Sequence, residues 1–144
     1  MLAVAILKRR LREGKTYTDF RKAWFHTHGF GTPTRLFTML NIADPREVIV
    51  IGFLEVSSIE GAAKLISIDK QQRGARSLDD IIEPSVERTF AALVAEDDFS
   101  PAGALDYCDP TIEGQPVDLS GLQLELELAK QILSSFLATP PAST

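Results

Sequence analysis

The amino-acid sequence predicts an α+β chain built on a four-stranded antiparallel sheet with helices on one face, and three observations predict it. Apolar stretches of strand length recur at Leu2-Ala3-Val4-Ala5-Ile6-Leu7, around Leu36-Phe37-Thr38-Met39-Leu40, at Val48-Ile49-Val50-Ile51-Gly52-Phe53-Leu54, and between Val86 and Glu96. Segments with apolar residues at helical spacing separate the first strand from the second and the third from the fourth. Only the short turn Ala43-Asp44-Pro45-Arg46 joins the second strand to the third, which makes that pair an antiparallel hairpin.

The first strand spans Leu2 to Arg10 and ends where Arg12-Glu13-Gly14-Lys15 breaks the apolar pattern. A helix is expected from Thr18, because Phe20, Ala23, Trp24 and Thr27 recur at its spacing; Thr16 or Thr18 caps its first turn, and Gly29 with Gly31 ends it. Beyond Thr32-Pro33, Arg35 to Asn41 forms the second strand and Val48 to Val56 the third. Ser57-Ser58-Ile59-Glu60 reads as a capping box opening a second helix, with Ile59, Ala62, Ala63, Leu65 and Ile66 as its buried stripe and Gly74 as its C-cap. Ser77 to Ile82 reads as a helical turn stopped by Pro84, and Val86 to Glu96 as a fourth strand, apolar on both faces.

The resulting order β-α-β-β-α-β is the split βαβ arrangement called ferredoxin-like, with both helices on one face of the sheet. Successive strand side chains point to opposite faces, so strands that are apolar at odd and even positions leave one sheet face without helices to cover it. A second copy packed sheet to sheet is the simplest cover. It would remove several hundred Å² of apolar surface per chain, on the order of 10 kcal/mol gross at ~25 cal/mol per Å² before association costs. A homodimer through the open sheet face is therefore the expected partner arrangement.

Residues 1–99 make up this domain, and residues 100–144 a linker and a C-terminal extension with a frayed end. Ser100-Pro101-Ala102-Gly103, Cys108-Asp109-Pro110-Thr111 and Glu113-Gly114-Gln115-Pro116 are loop-forming. In the last element Leu122, Leu124, Leu126 and Leu128 alternate as a strand would, yet Leu119, Leu122, Leu126, Ala129, Leu133 and Phe136 fit a 3-4 spacing in a run of strong helix formers. The longer pattern predicts a helix from Asp118 to Leu137.

Composition narrows the function. A chain of 144 residues with net charge −5 lacks the basic face that phosphate backbones require, so no nucleic-acid partner is expected. No apolar run approaches the ~20 residues that span a bilayer, so no membrane partner is expected and the default location is cytoplasmic. The single Cys108 cannot form an intrachain disulfide. Glycine-rich phosphate loops and Gly-x-Ser-x-Gly are absent, which sets aside nucleotide binding and serine-hydrolase chemistry. On a helix, His26 and His28 point about 200° apart and cannot share an ion, so no metal is expected, nor any other cofactor.

His28 follows Trp24 by four residues and Phe20 by eight, which puts it on the buried side near the helix end, where it can act as a general acid or base at the mouth of a cavity. The bland alternative is an imidazole bonding the last helix carbonyls. Trp24 reads first as core packing. Glu55 follows Ile49, Ile51 and Phe53 on one strand face; in apolar surroundings its pKa would rise and suit proton transfer, unless the strand end has already reached solvent.

Leu7-Lys8-Arg9-Arg10, followed by Tyr17-Thr18-Asp19-Phe20-Arg21-Lys22-Ala23-Trp24-Phe25-His26-Thr27-His28-Gly29, resembles the Arg-bearing first strand and Phe-x-x-x-Trp-x-x-x-His helix of EthD-like proteins. Those belong to the dimeric α/β-barrel superfamily, together with antibiotic-biosynthesis monooxygenases. The resemblance implies a homodimer of facing sheets with a cavity between each sheet and its helices. It also implies a ligand site at Phe20, Trp24 and Arg9, with His28 as the catalytic group. Members include cofactor-independent oxygenases, cyclases or dehydratases, haem-degrading enzymes and proteins without known activity, so fold alone does not select a reaction. Two functions are expected in parallel: a cofactor-independent enzyme acting on a small apolar organic molecule, or a non-catalytic small-molecule-binding or assembly protein of the same fold.

Overall fold

The computed structural model describes residues 2–24, 29–55, 61, 64, 67, 68, 71 and 78–138. Strand β1 (Leu2–Leu11) is followed by helix α1 (Tyr17–Ala23), β2 (Thr34–Leu40) and β3 (Glu47–Glu55). The described residues between β3 and the next strand, Gly61, Lys64, Ser67, Ile68 and Gln71, are helical. Then come β4 (Ile82–Ala92), a two-residue-per-arm hairpin of β5 (Thr111–Ile112) and β6 (Gln115–Pro116), and helix α2 (Leu122–Ala138). The main sheet has the order β2-β3-β1-β4 with every neighbouring pair antiparallel. This α+β arrangement is consistent with a ferredoxin-like fold.

The register sorts the side chains onto two faces. Leu7 stands opposite Val50, Arg9 opposite Val48 and Val86, and Leu11 opposite Ile82, so these share one face. Phe20 and Trp24 pack on it, and with Leu11, Val48 and Val50 they form the buried core, flanked by Leu7, Tyr17, Leu78, Ile81 and Ile82. The second face carries Val4, Ile6, Ile49, Ile51, Phe53, Phe37 and Met39. Of these only Val4 is buried, and Phe37 and Met39 are exposed.

Local chemistry explains where the elements stop. Thr16 caps α1 in a full capping box: its hydroxyl accepts from the Asp19 amide, and its own amide donates to the Asp19 carboxylate at 2.8 Å. Those bonds to Thr16 hold the Asp19 pKa below the ordinary carboxylate value. The helix then ends at Ala23, six residues before the expected stop at Gly29, and Trp24 is already extended at φ −143 and ψ 128. Strand β4 also starts earlier than expected, at Ile82, with Pro84 inside it rather than before it. A proline is tolerated there because β4 is an edge strand and its pairing with β1 slips between Arg9 and Leu11. The strand stops at Ala92, so the expected continuation to Glu96 is not made. The Ser57–Glu60 capping box and the Gly74 C-cap lie outside the described residues.

Past β4 the expected loop contains a small hairpin, whose turn residues Glu113 and Gly114 both have positive φ, 51° and 75°. Two such residues make the turn that matches strand twist, and Glu113 is the strained member. Residues Leu122–Ala138 are helical, which resolves the conflict between strand alternation and helical spacing in favour of the longer pattern.

An ion cluster ties the sheet end together. The Arg10 guanidinium bonds the Asp44 carboxylate in the β2–β3 turn, while Arg46 reaches Glu83 at 3.1 Å and donates from Nε to the Leu11 carbonyl at 3.0 Å. The hydrogen bond from Arg10 holds the Asp44 carboxyl below its ordinary value. A depressed folded pKa gives stabilisation that is fully present above the unfolded value, about 4, and is lost as pH falls through the folded one. Urea midpoints of the native chain should therefore drop more steeply than those of Asp44→Asn as the pH falls below about 4. Parallel acid profiles would show that the pair adds nothing to stability.

Candidate functional site

The site is built from one strand and one short helix. β1 presents Arg9 between Val48 of β3 and Val86 of β4, in the centre of the sheet, so its side chain rises from a floor of β-branched residues. α1 lays Tyr17, Phe20 and Trp24 in one aromatic row at i, i+3 and i+7. Ring centres are 6.2 Å apart for Tyr17 and Phe20, and 5.9 Å for Phe20 and Trp24. The Trp24 amide donates to the Phe20 carbonyl at 2.9 Å, which ties the indole to the end of the helix as the chain leaves it.

The Arg9 guanidinium carbon sits 4.8 Å from the Trp24 ring centre and 5.6 Å from that of Phe20. Arg9 is 4% exposed, the only charged residue among the described residues to be buried. A guanidinium removed from water would be costly in a purely apolar setting. The electron-rich faces of two rings offset part of that cost, about 2 kcal/mol when desolvated. The arrangement presents a fixed, planar, multi-donor cation inside an aromatic and aliphatic wall. Such a group can orient a carbonyl, enolate, phenolate or carboxylate oxygen of a molecule whose remaining surface is apolar.

Further along the sheet, beyond Leu7 and Val50, the side chains are small. Toward the start of β1 the same face carries Ala3 and Ala5, and across from Ala5 lies Gly52. Gly52 is buried, and a Cβ there would come within 2.6 Å of Leu36 Cδ2, so Leu36 leans over the gap that glycine leaves.

The residues expected to bind a ligand, Arg9, Phe20 and Trp24, are thus brought together. Glu55 is not part of that group. Glu55 is exposed at the far end of β3, on the opposite sheet face, and its neighbour on β1 is Leu2, seven residues or about 23 Å along the strand from Arg9. The apolar surroundings expected for its carboxylate are absent because the strand has reached its end there; its backbone instead bonds the Thr32-Pro33 loop. His28 and His26 lie outside the described residues. Phe37 and Phe53 meet edge to face at 5.9 Å, but on the second face and apart from Phe20 and Trp24.

Tyr17 joins the row unannounced by the sequence reading. Its spacing of three residues from Phe20 was the available signal, together with the Thr16 cap that starts the helix at Tyr17. Leu78, Ile81 and Ile82 also pack on this core from a turn whose amides at 81 and 82 both bond the Leu78 carbonyl. Among the described residues no three His, Cys, Asp or Glu side chains come together as metal ligands would, and no helix is long and apolar enough to cross a membrane.

Set against known proteins, the chain matches no protein-family model and no curated protein. The class it defines is an α+β chain with a four-stranded antiparallel sheet and at least one helix, α1, packed on the sheet face that holds Arg9.

Proposed function

We propose that this chain is a homodimeric protein of the dimeric α/β-barrel kind that takes up a small, largely apolar organic molecule between its sheet and helices and holds an oxygen of that molecule at Arg9. The observation that carries the reading is the Arg9 guanidinium, buried against Trp24 and Phe20. The strand order β2-β3-β1-β4 and the apolar second sheet face support the dimer. The resemblance to EthD-like proteins supports both, because Arg9, Phe20 and Trp24 are the residues that carry it.

Trp24 is the only tryptophan of the chain, so intrinsic emission reports on this site alone. Titration with a panel of phenols, aryl ketones and aromatic carboxylates should shift or quench that emission saturably for at least one class. A matched set of the parent hydrocarbons should do so less. No saturable response from any oxygenated member would sink the binding reading. Light scattering should report twice the chain mass at micromolar concentration, and a stable monomer would sink the dimer. In its enzymatic form the reading gives proton transfer to His28: His28→Ala then stops turnover of a bound molecule and preserves the Trp24 response. Unchanged turnover removes His28 from the chemistry.

A further inference from the structure

We propose that Arg88 is a second ligand-reading residue of the site, and that the molecule taken up is an apolar carboxylic acid whose carboxylate lies between the Arg9 and Arg88 guanidiniums; this rests on the binding function proposed above.

Register sets Arg88 beside the site. Along β1 and β4 the pairing runs unbroken from Ala3 opposite Ala92 to Arg9 opposite Val86, and within it Leu7 stands opposite Arg88. Residues two apart on a strand share a face, so Arg88 lies with Val86 and therefore with Arg9. The two arginines are diagonal neighbours on adjacent strands. That relation sets them roughly 7–8 Å apart, within reach of long side chains.

The charge on this face is of one sign. From the cross-strand row of Arg9 to that of Ala3, alternate residues of all four strands make the face, and Arg9 and Arg88 are its two ionisable side chains. Glu87 is the one carboxylate in those strand segments, and it is paired with Lys8 on the opposite face. Like charges on neighbouring strands destabilise a sheet, and an anion held between them removes that cost. Among the described residues Arg88 forms no ion pair. It is exposed on the edge strand β4, open to a molecule arriving from that side.

The two guanidiniums divide the work. Arg9 is held against Trp24 and Phe20 and gives direction to a bound oxygen. Arg88 adds a second positive charge at the rim. A neutral phenol or ketone is served by the donors of Arg9 alone, whereas an ionised carboxylate, with two oxygens and several lone pairs, gains from both. Next along the same face is the half-buried Phe90, opposite Ala5, an apolar surface on which the body of an aryl acid can rest.

The test follows Trp24 emission during titration with aryl carboxylates from benzoate to 4-phenylbutyrate and with the primary amide of each, matched in shape and differing in charge. At least one acid should bind the native chain about tenfold more tightly than its amide, and the difference should shrink as salt is added. Arg88→Gln should weaken that acid about tenfold while leaving the amide affinity and the urea midpoint unchanged. Lys8→Gln removes the same charge from the opposite face and should preserve the difference. Saturable binding of phenols or ketones but of no acid would overturn the carboxylate assignment and leave the binding function standing. Equal affinity of acid and amide would do the same, as would an Arg88→Gln variant that weakens both alike or neither, or an equal effect of Lys8→Gln. No saturable response to any oxygenated molecule would remove the binding function itself.

Discussion

Phe20→Ala should lower the stability of the folded chain by about 3–5 kcal/mol, the usual cost of emptying a buried phenylalanine site. Phe20 is 3% exposed and lies between Tyr17 and Trp24 with Arg9 over its ring, so three neighbours lose contact at once. Collapse around the vacancy is opposed from below by Val48 and Leu11, which are 0% and 1% exposed and already close-packed. Among the described residues the buried apolar side chains come only from β1, α1 with its cap, and β3. A loss of this size is a large share of the 5–15 kcal/mol that holds a typical domain together. Urea denaturation should show a much lower midpoint with an unchanged slope. Phe20→Leu, which keeps most of the volume, should cost no more than about 1.5 kcal/mol. Equal losses for the two variants would mean that the ring face toward Arg9, rather than the filled volume, is what the fold needs.

The sheet was legible because its signals are local. Apolar runs of strand length, a four-residue turn at Ala43–Arg46 and helical spacing between the outer strands are written in consecutive residues, and the element order follows from them. Register also followed, since alternation put Ile49, Ile51 and Phe53 on one face and Val48 and Val50 on the other. Element ends were less legible, for nameable reasons. α1 stops at Ala23 although Phe25 to Thr27 contain no helix breaker, so the stop reflects the docking of Trp24 against Arg9 and the core rather than local propensity. Pro84 read as a terminator because its toleration depends on β4 lying at the sheet edge, a fact of topology that no window of residues contains. At the site, Arg9, Phe20 and Trp24 came from a motif resemblance that carried no geometry. Their convergence is set by the register of β1 against β3 and the rotation of α1, both long-range. For Glu55, alternation gives the face but not whether the end of a strand is covered, and of the two alternatives the sequence left open the exposed strand end is the one found.

Arg9→Met should leave the fold standing and remove the binding response. Methionine matches the length of the arginine stem and is flexible enough to fill the slot beside Trp24 and Phe20. Replacing a buried charge by an apolar side chain of like volume is often neutral or stabilising, because the desolvation cost disappears with the charge. Against that stands the loss of the contacts Arg9 makes, of which those with the two rings contribute about 2 kcal/mol, so the unfolding midpoint should fall by several degrees without loss of the fold. Binding has no such compensation. A charge-assisted hydrogen bond to a ligand oxygen contributes about 1.5–3 kcal/mol, and its loss weakens binding roughly 10- to 100-fold. The Trp24 titration should therefore need correspondingly more of any phenol or carboxylate that saturates the native site, while the affinity of a matched hydrocarbon should change little. Arg9→Lys separates charge from shape: an ammonium keeps the cation but not the planar multi-donor fork that stacks on the indole, so affinity should fall between the two. If Arg9→Met instead costs several kcal/mol of stability and binding is unaltered, the guanidinium belongs to the fold alone. A stable variant that no longer distinguishes the oxygenated molecule from its hydrocarbon would identify Arg9 as the group that reads the ligand.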